Sequence, residues 1–142
     1  MYSFKTEKNI SNWSNEDIPN LKGKNALITG SNSGLGYFTA KALAKKGCHV
    51  LLGCRTLEKA NYTKERLEKL YPSGKFSSLE LDLSDFKKVV ETTKFIFETF
   101  NNLDLLINNA GIMHPPKTLN AQGFEIQFAV NHLSHMLLTL KL

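Results

Sequence analysis

The sequence predicts an α/β fold, a parallel sheet with crossover helices, and three observations carry that prediction. From Lys24 onward, short apolar segments alternate with longer amphipathic ones, the pattern of strands joined by helices. The first apolar segment runs into Gly30-Ser31-Asn32-Ser33-Gly34-Leu35-Gly36, a glycine-punctuated turn that opens a helical pattern. A length of 142 residues fits one domain and buries roughly two thirds of the unfolded surface.

Residues 1–21 read as a polar, aperiodic N-terminal extension whose strong features are Trp13, Ile18 and Pro19. Trp13 is expected to pack against the domain edge. Residues 22–142 form the domain. Its first expected strand is Lys24 to Thr29. A helix is expected from Leu35 to Lys46, with Leu35, Phe38 and Ala42 on one face and Gly47 ending it. The second strand runs from His49 to Cys54. Thr56 then caps a helix reaching about Tyr71, whose many lysines and glutamates mark a solvated outer face. Pro72 to Gly74 breaks the chain before a third strand, Phe76 to Leu81. Ser84 is expected to cap a third helix that turns Phe86, Val90, Thr93, Phe97 and Phe100 to the sheet. A fourth strand, Leu103 to Asn108, a proline-containing loop and a last helix from about Gly123 complete the reading. There are no repeats and no low-complexity tracts.

Composition narrows the class. Hydrophobic residues make up 42%, which is that of a globular protein, and the net charge of +5 is modest. No arginine-rich run points to nucleic acid. Lys5, Glu7 and Lys8 interrupt any signal-peptide core, and no run of 18 apolar residues marks a membrane span. Cys48 and Cys54 fit no zinc spacing and read as reduced thiols. A cytoplasmic location follows as the default, and the sequons at Asn9, Asn12 and Asn61 then read as chance matches.

The glycine turn carries the chemistry. A strand that passes through such a turn into a helix N-terminus points free N–H groups and the positive end of the helix dipole at one spot, which suits an anion. Glycine lets the main chain approach a phosphate closely. No lysine follows as in a P-loop. The spacing is G-x-x-x-G-x-G, with Thr39 where the third glycine of G-x-G-x-x-G would stand. The alternative is a tight turn after a core strand. In dinucleotide folds an acid about 20 residues further on binds the ribose 2′-OH of NAD. Here the second strand ends Gly53-Cys54-Arg55, and a guanidinium suits the 2′-phosphate of NADP. At the end of the third strand, Asp82 could accept from the adenine amino group or cap the next helix. Asn108-Asn109-Ala110-Gly111 ends the fourth strand with small residues that let backbone lie close to a ligand.

Thr29-Gly30-x-x-x-Gly34-x-Gly36, Asp82 and Asn108-Asn109-Ala110-Gly111, in this order, resemble the short-chain dehydrogenase/reductase family over residues 22–142. Ser31 to Gly36, Gly53-Cys54-Arg55 and Phe128 to His135 resemble its subgroup of retinol dehydrogenases, WW-domain oxidoreductase and protochlorophyllide reductase. The resemblance implies a doubly wound parallel sheet (Rossmann) and NADP-linked carbonyl/alcohol redox chemistry. It implies that Gly30, Asn32, Ser33, Gly34, Leu35 and Gly36 bind the cofactor phosphates and ribose, and that Arg55 selects NADP. Asp82 and Leu83 match the adenine contact, and Asn109, Ala110 and Gly111 the nicotinamide-side ribose. Asn131 matches the asparagine of the family's catalytic tetrad, which holds a water in the proton relay. The implied substrate is a small carbonyl or alcohol compound, with retinoid and other lipid-like molecules open.

The family's chemistry also needs a serine on the next strand and a Tyr-x-x-x-Lys on the next helix, and Leu142 falls before them. The expected fold is therefore truncated after the fourth strand and fourth helix, with strand order 3-2-1-4. Tyr37 and Lys41 have i,i+4 spacing but sit at the pyrophosphate end, and Tyr71 to Lys75 spans Pro72 and Gly74. His132 and His135 lack a third ligand for a metal. The fourth strand becomes an edge, and Phe128, Leu133, Leu137 and Leu140 of the last helix seek partners, so self-association is expected. A non-catalytic NADP-binding or regulatory module and a nonfunctional truncated product stand as the alternatives to an enzyme.

Overall fold

The computed structural model describes residues 13–142, so Asn9 and Asn12 lie outside the described residues. Four strands form one parallel sheet in the order β3-β2-β1-β4: β1 (Asn25–Thr29), β2 (His49–Cys54), β3 (Lys75–Glu80) and β4 (Leu105–Ile107). Between them run α1 (Gly34–Lys45), α2 (Leu57–Leu70) and α3 (Phe86–Thr99). The last helix is composite: a turn α4 (Ile126–Phe128), a π-helical turn Ala129–Leu133, then α5 (Ser134–Lys141). Its start lies three residues beyond the expected Gly123, because the Glu125 carboxylate accepts from the Gln127 and Phe128 amides and fixes the N-terminus there.

The sheet is covered on both faces, as parallel sheets are. Ala26, Ile28, Val50, Leu52 and Phe76 pack with Tyr37, Ala40 and Ala44 of α1 and Leu67 of α2. The alternate residues Leu27, Leu51 and Leu79 face the other way, onto Val89 and Ile96 of α3 and Leu138 of α5. The fold is thus doubly wound.

Sequence periodicity placed β2 and the Thr56 cap of α2 correctly; the Thr56 hydroxyl accepts from the Lys59 amide. Gly47 (φ +87°) follows the last turn of α1, with its amide on the Ala44 carbonyl and that of Cys48 on Leu43. Two helix faces differ from expectation. In α1 the buried face is Gly36, Tyr37, Ala40 and Ala44, while Leu35 is 80% and Phe38 63% exposed. In α3 the buried face is Val89, Thr92, Thr93 and Ile96, and Phe97 points outward. Hydrophobicity alone favoured the phenylalanines. The threonines bury cheaply because their hydroxyls donate to the Lys88 and Val90 carbonyls within the helix. The cap of α3 is Asp85, not Ser84: Asp85 accepts from the Lys87 amide, while Ser84 turns its hydroxyl to Asp82. Trp13, expected to be covered at the domain edge, is 60% exposed. Glu16 anchors that segment instead, through Lys45 at 2.8 Å and Lys46 at 3.5 Å.

Candidate functional site

The carboxyl ends of all four strands open on one cleft of about 500 Å³. Its walls contain Gly30, Asn32, Ser33, Leu35, Arg55, Asp82, Leu83, Asn109, Ala110 and Gly111, drawn from four separate turns between residues 30 and 111. Parallel strands with the same polarity bring these turns to one end. Gly34, Gly36 and Asn131 lie outside its walls, although Asn131 lies directly behind them.

The glycine turn is fixed from below. The amides of Gly30 and Ser31 both donate to the Gly53 carbonyl, at 2.8 and 3.3 Å. Gly30 has φ +66°, and a Cβ there would meet Ala110 Cα at 2.9 Å. A Cβ on Gly36 would meet the Gly30 carbonyl oxygen and, at 2.5 Å, Asn109 Nδ2. These two glycines therefore let α1 and the strand ends close on each other; their absent side chains make room for protein. Gly34 (φ +51°) has open space above it instead. Ser33 precedes α1 without a side-chain capping bond, so the first-turn N–H groups of a 12-residue helix remain available to an anion.

At the end of β2 the Arg55 side chain is 60% exposed and its Nε lies 3.8 Å from Asp82 Oδ1. Asp82 itself makes a tight turn, accepting from the Ser84 amide at 2.9 Å and hydroxyl at 2.6 Å. Lys59, one helical turn beyond Arg55, also lines the cleft. Sequence reasoning passed over it among the many charges of α2; its signal was the i,i+4 spacing from Arg55 across the Thr56 cap.

The opposite wall is Asn109-Ala110-Gly111. Asn109 Nδ2 donates to the carbonyls of Thr29, at 2.8 Å, and Gly30, at 3.3 Å, so this side chain ties the wall to the glycine turn. The Thr29 hydroxyl accepts from the Asn109 and Ala110 amides, each at 2.9 Å. Asn131, inside the π-helical turn, clasps the main chain of Ile112: Oδ1 accepts from its amide and Nδ2 donates to its carbonyl, both at 2.8 Å. A π-turn at such a place is a frequent companion of functional sites.

Other candidates go elsewhere. Tyr37 is buried in the core under the Arg66 guanidinium, 4.6 Å from its ring centre. Tyr71 ends α2 in a turn closed by Gly74. Ser134 donates to the Leu83 carbonyl at 2.6 Å. Cys48 and Cys54 are free and buried; burial pushes the Cys48 thiol up to about 11 and raises Cys54 as well, so both are neutral thiols. Among the described residues no cluster of three metal-ligating side chains occurs, and no helix is long and apolar enough to cross a membrane.

This arrangement has close counterparts. The family model for short chain dehydrogenases matches residues 24–142. The chain belongs to the short chain dehydrogenase family. Over 134 residues it is 42% identical to an uncharacterized oxidoreductase of Schizosaccharomyces pombe, covering 94% of this chain and 40% of that protein. Over 119 residues it is 39% identical to human retinol dehydrogenase 13, covering 84% of this chain and 36% of that protein. A solved structure from Mycobacterium paratuberculosis superposes with TM-score 0.80 at 37% identity, over 92% of this chain and 45% of that one. A 7 alpha-hydroxysteroid dehydrogenase complexed with NADH and 7-oxo glycochenodeoxycholic acid superposes with TM-score 0.70 at 25% identity, over 85% and 47%. The chain thus spans about two fifths of the curated relatives it matches. Short chain dehydrogenases are oxidoreductases that bind a nicotinamide cofactor, NAD or NADP, and act on small molecules.

Proposed function

We propose that this chain is the cofactor-holding part of an NADP-dependent short-chain dehydrogenase/reductase, which moves hydride between nicotinamide and a carbonyl or alcohol substrate. The observation that carries the reading is the meeting, in one cleft, of an open helix N-terminus, two cations and an asparagine-alanine-glycine wall. This donor set fits a phosphorylated dinucleotide. The first-turn amides of α1, with Asn32 and Ser33 beside them, hold the diphosphate. Arg55 and Lys59 hold the 2′-phosphate, for which a fork of N–H donors is well shaped. Asp82 and Leu83 receive the adenine, and Asn109 to Gly111 support the nicotinamide ribose. Asn131 belongs to the proton-relay end of the site and keeps Ile112 in place. When bound, the dinucleotide supplies or accepts the hydride. The resemblance to retinol dehydrogenases makes a retinoid or other lipid-like carbonyl the first substrate class to try. Two free, buried thiols support a reducing, cytoplasmic setting. Among the described residues β4 pairs on one side only, and its other side offers a second copy a strand edge.

One observation favours a second reading for the chain on its own. Among the described residues, those lining the cleft include no tyrosine, and the i,i+4 pair Tyr37 and Lys41 lies on α1 with its tyrosine in the core. The chain alone then acts as a non-catalytic NADP-binding module. Titrating the purified chain with NADPH and with NADH, following cofactor fluorescence, tests both readings. Tighter binding of NADPH, without turnover of a carbonyl substrate, is expected. Failure to bind NADPH defeats the proposal, and turnover by the chain alone defeats the second reading.

A further inference from the structure

The buried side of the asparagine-alanine-glycine wall ends on a histidine that the cofactor reading leaves unused. His135, in the first turn of α5, is 7% exposed. Its Nε2 lies 2.9 Å from the Thr29 hydroxyl, and its Nδ1 lies 3.1 Å from the Asn131 carbonyl. Thr29 is the last residue of β1, 1% exposed, and its hydroxyl is shared by four neighbours: the amides of Asn109 and Ala110, His135 Nε2 and, at 3.4 Å, the Ile107 carbonyl.

Counting protons fixes the direction of every bond. A carbonyl only accepts, so Nδ1 of His135 must carry a hydrogen to reach Asn131. In a neutral imidazole Nε2 is then bare and can only accept. The Thr29 hydroxyl has one hydrogen and two lone pairs. Amides only donate, so the lone pairs receive Ala110 and Asn109, the Asn109 N–H being shared with the Ile107 carbonyl at 3.0 Å. The single hydroxyl hydrogen goes to Nε2 at 2.9 Å in preference to the Ile107 carbonyl at 3.4 Å.

We infer that His135, as the neutral Nδ1–H tautomer, is a positioning residue that sets the cofactor-facing wall Asn109-Ala110-Gly111 by orienting the Thr29 hydroxyl. The wall segment is consequently held at both ends by the last helix. Thr29 and His135 hold its first two amides, and Asn131 holds Ile112 just past it. The inference rests on the proposed cofactor site for what the wall supports, and on the bond directions alone for how it is held. Burial keeps the ring below its ordinary pKa, and the Asn131 carbonyl is the one hydrogen-bonding group acting against that shift. A proton on Nε2 would face an oxygen whose lone pairs are both engaged.

Two measurements on the full chain test this. In the cofactor-free protein, nitrogen-15 NMR of the His135 ring is expected to show a protonated Nδ1 and a bare Nε2. A protonated Nε2 overturns the inference, whether or not the chain binds cofactor. Substitution H135L removes both bonds and is expected to move the Asn109 and Ala110 amide signals and weaken NADPH binding about tenfold. H135Q, which offers one acceptor and one donor, is expected to restore most of both. T29V combined with H135L is expected to bind no more weakly than T29V alone. Should H135L not fold, H135Q and T29V against the ring tautomer still decide the matter. Unchanged Asn109 and Ala110 signals in a folded H135L protein overturn it. If the wild-type chain binds no NADPH, the cofactor reading fails, while the NMR signals still judge the histidine.

Discussion

The Nε of Arg55 stands 3.8 Å from Oδ1 of Asp82, across the mouth of the cleft from the glycine turn. Asp82 is already held by Ser84, so it is the fixed member of the pair and Arg55 the guided one. An exposed pair at this distance contributes little to folding, at most about 1 kcal/mol. Its effect is to keep a flexible guanidinium near the place where a 2′-phosphate would lie.

Arg55→Ala is therefore expected to leave the melting temperature nearly unchanged and to weaken NADPH binding about tenfold or more, the loss of a charge-assisted hydrogen bond. NADH affinity should change little, which isothermal titration with the two nucleotides would reveal. Equal losses for both would remove Arg55 from the role of selecting NADP.

Gly36→Ala should destabilise the fold through overpacking. The added methyl would press on the Gly30 carbonyl and on Asn109 Nδ2, at 2.5 Å. Such overpacking costs about 1–3 kcal/mol, read as a lower urea midpoint with an unchanged slope. Gly34→Ala meets open space and bears only the left-handed backbone penalty at φ +51°, about 1–2 kcal/mol.

Asn131→Ala removes both bonds to Ile112. Hydrogen exchange at the Ile112 amide should accelerate, and stability should fall by about 1–3 kcal/mol. An Ile112 amide that exchanges as slowly as in the wild type would show that another group holds this segment.

Acid sensitivity near neutrality should trace to two histidines. Burial lowers His135 below its ordinary value of 6.5; burial and then the Lys75 and Lys64 charges lower His49. Both favour the neutral ring in the folded state, so the unfolded chain binds protons first as pH falls. Their contribution is fully present above about 6.5 and is lost as pH drops through the lower folded values. Urea midpoints at pH 7 and pH 5 should differ less for H49Q/H135Q than for the wild type.

Association should follow from the uncovered end of the sheet. Among the described residues β4 pairs only with β1, and Phe128, Met136 and Leu140 are 51%, 53% and 74% exposed. Sedimentation of the chain is expected to depend on concentration, and Leu105→Lys on the edge strand to reduce that dependence. A sharp monomer at every concentration would argue against it.

Much of this was legible in the order of residues. The Gly30 to Gly36 turn, the cap at Thr56 and the gathering of Arg55, Asp82 and Asn109 to Gly111 at one end follow from local patterns and the fixed polarity of parallel strands, while the strand order is what the family resemblance implied. What only the tertiary structure decided is which side of each helix goes in and where the polar hydrogens point. Phe38 and Phe97 lost their expected burial to Ala40 and Thr92, whereas Thr93 is buried as expected, because close helix–sheet packing favours small side chains that satisfy their own polar atoms. The role of Thr29 depends on Asn109 and His135, 80 and 106 residues away. No local pattern encodes such a meeting; it exists only once burial has stripped water from Thr29 and His135 and left them each other and the Asn109 amide to bond.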